Sequence, residues 1–158
     1  MTYQGLRDIL LCSFKTGLKR GARGQQVRDF QEIKKLIKET SIECIKEYLF
    51  MHNQIMSFGP EITTRATGKK GLVLDYHIDN SGRKGTRFGA LWIVPQKNLL
   101  HIYFHGLKDK KKWPKEISMN HENSSGVPHT WIPPNPDLSK IVLKLLEESF
   151  QNVSKRMG

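Results

Sequence analysis

Between residues 72 and 104 the chain alternates apolar and polar residues in the rhythm of a β-strand, and this pattern constrains the fold most. Leu72, Leu74, Tyr76 and Ile78 alternate with Val73, Asp75, His77 and Asp79, the period of a half-buried strand. A polar, glycine-bearing turn at 80–85 leads into a second run over 86–94. There, Ala90, Leu91, Trp92, Ile93 and Val94 are apolar at every position. Such a run marks a central strand covered on both faces, or one with Trp92 lying across the outer surface. After a turn at 95–98, Leu100, Ile102 and Phe104 alternate with His101, Tyr103 and His105 in a third strand. Three strands with short turns most economically form an antiparallel meander, which needs helices over its apolar face.

Helical spacing supplies those helices. Val27, Phe30, Ile33 and Ile37 recur every three to four residues, with Arg28, Lys34, Lys35 and Lys38 opposite them. Thr40-Ser41-Ile42-Glu43 reads as a capping box in which the Thr40 hydroxyl and the Glu43 carboxylate take up free amides. Ile42, Ile45, Leu49, His52 and Met56 carry a second helix to Gly59-Pro60, where it must stop. Asn135-Pro136-Asp137 predicts a third start, with Asn as cap and Pro at the first helical position. Leu138, Ile141, Val142, Leu145, Leu146, Phe150 and Val153 then line one face. Upstream, Leu6, Ile9, Leu10, Phe14 and Leu18 allow a short helix that Gly17, Gly21 and Gly24 should break. Residues 106–136 are irregular apart from a short fourth strand at Trp131-Ile132. The expected fold is α+β: a three- to four-stranded antiparallel meander against N-terminal and C-terminal helices. A basic arm and helix over 1–39 would precede an α+β domain over 40–158.

Charge points to the partner. The 158 residues hold 26 Lys+Arg against 15 Asp+Glu, a net charge of +11. A chain this basic is predisposed to polyanions, because each neutralised phosphate releases counterions. No acid lies between Asp8 and Asp29, yet Lys15, Lys19, Arg20, Arg23 and Arg28 do. Lys69, Lys70, Arg83, Lys84 and Arg87 fall near the expected sheet turns and extend the basic track. Trp113, within a lysine-rich stretch, and Trp131 are candidates for stacking on unpaired bases. The same charge would also suit docking on an acidic protein partner. The apolar runs are too short to span a bilayer, and the first residues lack the long apolar stretch of a secretory signal. Two cysteines, Cys12 and Cys44, make neither a disulfide framework nor a metal quartet, which suits a reducing, cytoplasmic setting.

A resemblance runs from Ile42 through Gly59-Pro60-Glu61-Ile62 and residues 72–76. It continues through Arg87-Phe88-Gly89-Ala90, Pro95-Gln96-Lys97 and residues 99–104 to the helix over 137–150. Over residues 40–150 this outline resembles a family of small bacterial and archaeal domains of unknown function, found alone or appended to nuclease- and restriction-associated proteins. The resemblance implies the helix–strand–strand–strand–helix order, a prokaryotic origin and a nucleic-acid context. It carries over no catalytic residue.

The residues themselves contain no Gly-x-Ser-x-Gly elbow and no phosphate loop, and no cofactor is expected. Asp75, His77 and Asp79 place two carboxylates and an imidazole on one strand face, which His101, Tyr103 and His105 would share if their strand lay alongside. Such ligands suit a divalent metal able to activate water, so a metal-dependent nuclease is the enzymatic alternative. His101 and His105 are about 13 Å apart along a strand, too far to act together on one phosphate. A nucleic-acid-binding accessory domain, working mainly through phosphate contacts, is the leading expectation, ahead of any enzyme.

Overall fold

The computed structural model describes residues 2–18, 30–67, 72–79, 85–108, 112–120 and 126–157. Among them are four helices, α1 (Tyr3–Leu18), α2 (Phe30–Glu39), α3 (Ile42–Met56) and α4 (Pro136–Met157). The strands are β1 (Ile62–Thr67), β2 (Leu72–Ile78), β3 (Thr86–Val94), β4 (Leu99–Phe104), β5 (Met119–Asn120) and β6 (His129–Ile132). They form one six-stranded sheet in the order β1-β2-β3-β4-β6-β5, antiparallel at every neighbouring pair. The α+β class therefore stands, with a wider sheet than the expected three or four strands. The central meander β2-β3-β4 falls where the alternation put it; β1 and β5 extend and close the edges.

Local chemistry fixes the helix ends. At α3 the cap is Ser41, whose hydroxyl accepts from the Cys44 N–H at 3.3 Å. Thr40, expected in that role, instead donates its hydroxyl to the Leu36 carbonyl at 2.8 Å and closes the end of α2. Asn135 caps α4 as expected, its Oδ1 accepting from Asp137 N at 2.9 Å and Leu138 N at 3.2 Å. Helix α1 runs past Gly17, which was expected to interrupt it; Gly21 and Gly24 lie outside the described residues. Asn98, at φ 49°, turns the chain from Pro95–Lys97 into β4, a left-handed position that asparagine tolerates.

One hydrophobic core lies between the helices and one face of the sheet. Leu72, Leu74, Tyr76, Leu91, Ile93, Leu100, Ile102 and Phe104 meet Ile45, Tyr48, Leu146 and Phe150 there. Leu10, Ile33 and Ile37 belong to the same core, so the packing does not part at residue 40, where an arm was expected to end. Trp113, a candidate for base stacking that could equally fold back onto the core, packs half-buried against it. Among the described residues no helix is long and apolar enough to cross a membrane.

A bulge in β3 decides what reaches the other face. Tyr76 pairs with Gly89 but His77 pairs with Arg87, leaving Phe88 as the extra residue. Phe88 turns inward to meet Phe150 edge-on at 5.2 Å. Gly89 also lies on the helix side, where an added Cβ would come within 2.8 Å of Leu146 Cδ2. Arg87 is thereby rotated to the outer face, beside His77.

Candidate functional site

Antiparallel partners share a face, so the register reads the outer surface of the sheet as rows crossing the strands. The first row runs Thr63, His77, Arg87, with His105 alongside through its N–H to the Phe88 carbonyl at 3.0 Å. The second runs Arg65, Asp75, Ala90, Tyr103, His129, Asn120. The third runs Val73, Trp92, His101, Trp131. None of Val73, Ala90, Trp92 or Trp131 belongs to the hydrophobic core, so this is a second, separate layer.

Its centre is His101, held between two indoles. Trp131 stacks on it at 3.7 Å between ring centroids and 12° between planes; Trp92 stacks on it at 5.5 Å and 18°. Tyr103 and His129 lie 4.5 and 4.9 Å from it, and His105 stacks on Tyr103 at 6.0 Å. The His101 Nε2 and His129 Nδ1 atoms are 2.7 Å apart, a bond in which one nitrogen donates and the other accepts. Burial first, then the neighbouring His129, pushes the His101 pKa down to about 3, so this ring is neutral near pH 7. Trp131 is the outermost ring: 39% exposed, with its inner face on His101 and Lys97 Nζ 5.5 Å from its centroid.

The first row is charged. Arg87 reaches Asp75 at 3.4 Å, with the guanidinium side 45% exposed. His77 is 8% exposed and Asp75 6%, which corrects the expected half-buried strand: β2 is buried on both faces. Burial lowers the His77 pKa, with Arg65 and Arg87 acting in the same direction against Gly85 and Asp75. Burial, then Arg87 and His77, pushes the His105 pKa down to about 4. Among the described residues, three buried ring nitrogens have no hydrogen-bond partner: His77 Nε2, Trp92 Nε1 and His101 Nδ1.

Of the expected phosphate-contacting residues, Arg87 stands on this face. Lys15 lies on α1 with its side chain outside the described set. Lys19, Arg20, Arg23, Arg28, Lys69, Lys70, Arg83 and Lys84 also lie outside the described residues. The proposed metal group does not assemble: among the described residues no three of His, Cys, Asp and Glu converge on one point. Asp75 is held by Arg87, and Asp79 is exposed beyond the end of β2. β4, which bears His101 and Tyr103 and is followed directly by His105, shares the face of Asp75 and His77 but is separated from β2 by β3. Sequence reasoning missed Arg65, Lys97 and His129. The strand register brings Arg65 and His129 to this face and the turn Pro95–Lys97 brings Lys97 over Trp131; β1, which carries Arg65, has too few apolar residues to announce itself. On the helix side, a groove of about 520 Å³ between α1 and α2 is lined by Gln4, Arg7, Asp8, Leu11, Lys34, Ile37 and Lys38. Arg7 there donates to the Lys38 carbonyl at 3.1 Å. No protein-family model, curated protein or solved structure matches the chain.

Proposed function

We propose that this domain binds single-stranded nucleic acid across the outer face of its sheet, largely without sequence preference. Unpaired bases stack on Trp131 and the rings around it. Phosphates are taken by Arg87, Arg65 and Lys97, and by the basic segments 15–28, 68–71 and 80–84. The observation that carries this reading is Trp131, 39% exposed and pressed at 3.7 Å onto a buried imidazole. An indole held on one face by His101, with the flexible Lys97 ammonium over the ring to give way to a base, is preorganised for stacking, because ordering it costs little further on binding. Every base offers a π-face, so such stacking tolerates any sequence; a duplex hides those faces, so unpaired strands are favoured. The net charge of +11 supplies the non-specific attraction.

The test is an anisotropy titration of short labelled RNA and DNA strands across about 50–200 mM salt. Affinity is expected to fall steeply with salt. Trp131→Ala should weaken binding by about 1–3 kcal/mol, at least fivefold, with little change in melting temperature. Absence of binding at low salt, or unchanged affinity in Trp131→Ala, would refute the reading.

A further inference from the structure

The charged row at the end of this face holds a group whose chemistry is selective. The His77 Nδ1 lies 3.2 Å from the Gly85 carbonyl. A carbonyl oxygen only accepts, so Nδ1 carries the proton and Nε2 of the neutral ring is a bare acceptor. That Nε2 is buried and has no hydrogen-bond partner, on a side chain only 8% exposed. A lone pair in this state repels phosphate and carbonyl oxygens and is relieved only by a donor. Beside it, on the same row, stands Arg87, whose single 3.4 Å contact to Asp75 is long and half in solvent. Only the Arg87 side of this pair is open to solvent, so guanidinium N–H groups not turned to the buried Asp75 are free to take a phosphate.

We propose that His77 and Arg87 together read the ribose of RNA: Arg87 takes a backbone phosphate, and His77 Nε2 accepts a hydrogen bond from the neighbouring 2′-hydroxyl. The half-exposed Arg87 side chain swings toward the phosphate while keeping an N–H on Asp75, which opens the way to Nε2. The 2′-hydroxyl is the donor that lies beside a phosphate in RNA and is absent from DNA. Burial, which lowers the His77 pKa, keeps the ring in the accepting form at neutral pH. This inference rests on the single-strand binding proposed above and names its substrate class as RNA.

The experiment compares the full chain's affinity for oligouridylate, oligodeoxyuridylate and 2′-fluoro-oligouridylate of one length. The fluoro strand keeps an acceptor at the 2′ position but has no donor. RNA is expected to bind about tenfold tighter than the other two, the scale of a buried polar group left unpaired. His77→Phe should bring RNA down to the DNA level and leave DNA binding unchanged. Equal affinity for RNA and DNA, or fluoro-RNA bound as tightly as RNA, overturns the ribose reading and leaves strand binding standing. The fluoro comparison uses the unaltered chain, so it decides the matter even if His77→Phe does not fold. Binding of none of the three strands overturns both.

Discussion

At the scale of residues, the outer face holds three of its histidines, His77, His101 and His105, as neutral rings. His101 is held to about 3 and His105 to about 4, and His77 is also lowered; so is His52 on α3, on the helix side of the sheet, each chiefly by burial. An unfolded histidine titrates near 6.5. Above that pH both states are neutral and these groups favour the fold in full. As pH falls below it, the unfolded chain gains protons that the folded chain refuses, so stability declines until pH reaches the folded values of about 4 and about 3. At pH 5 the loss from His101 alone is about 2 kcal/mol. Urea midpoints should therefore drop between pH 7.5 and pH 5, and His101→Phe should shrink that drop; equal midpoints at the two pH values would contradict it. The alternation of His101, Tyr103 and His105 with apolar neighbours was legible in the sequence. Their partners were not, because His129 and Trp131 join them only through the pairing of β4 with β6, across a connection of irregular sequence.

At the scale of elements, period two gave β2 and β4, a continuous apolar run gave β3, and period three-to-four gave α3 and α4, since each buries an apolar face. β1 escaped notice because Thr63, Thr64 and Arg65 carry no apolar alternation; its membership rests on pairing with β2 from Ile62↔Ile78 to Thr67↔Val73. The bulge in β3 was likewise invisible, since it depends on Phe88 finding Phe150 and Gly89 admitting Leu146. Gly106 shows the same dependence on a distant helix. Ser149 Oγ accepts from the Gly106 N–H at 2.7 Å and donates to the Phe88 carbonyl at 2.6 Å, tying α4 to the ends of β3 and β4. A Cβ on Gly106 would overlap the Ser149 backbone oxygen, which a helix cannot move aside. Gly106→Ala is expected to cost about 3 kcal/mol, and Gly89→Ala, whose Cβ meets only the end of a leucine side chain, about 1 kcal/mol. Thermal melts of the two variants check the order; equal losses would mean that the α4 contact yields more easily than its geometry implies.

At the scale of the whole molecule, the sheet separates two tasks. Its inner face and four helices make the hydrophobic core, to which α1 and α2 contribute Leu10, Ile33 and Ile37. Fold and basic charge therefore do not divide at residue 40 but interleave along the chain. Its outer face carries aromatic rings, imidazoles and cations in register. Charge composition supports the proposed polyanion partner, but where a strand would lie under that proposal depends on six strands adopting one register. The most direct measurement is an NMR titration of the isotope-labelled chain with oligouridylate. The account predicts that the Trp131 and Trp92 indole N–H signals and the amides of β3, β4 and β6 shift together, while those on the outer side of α4 stay in place. Shifts confined to the helices, with Trp131 unmoved, would contradict it.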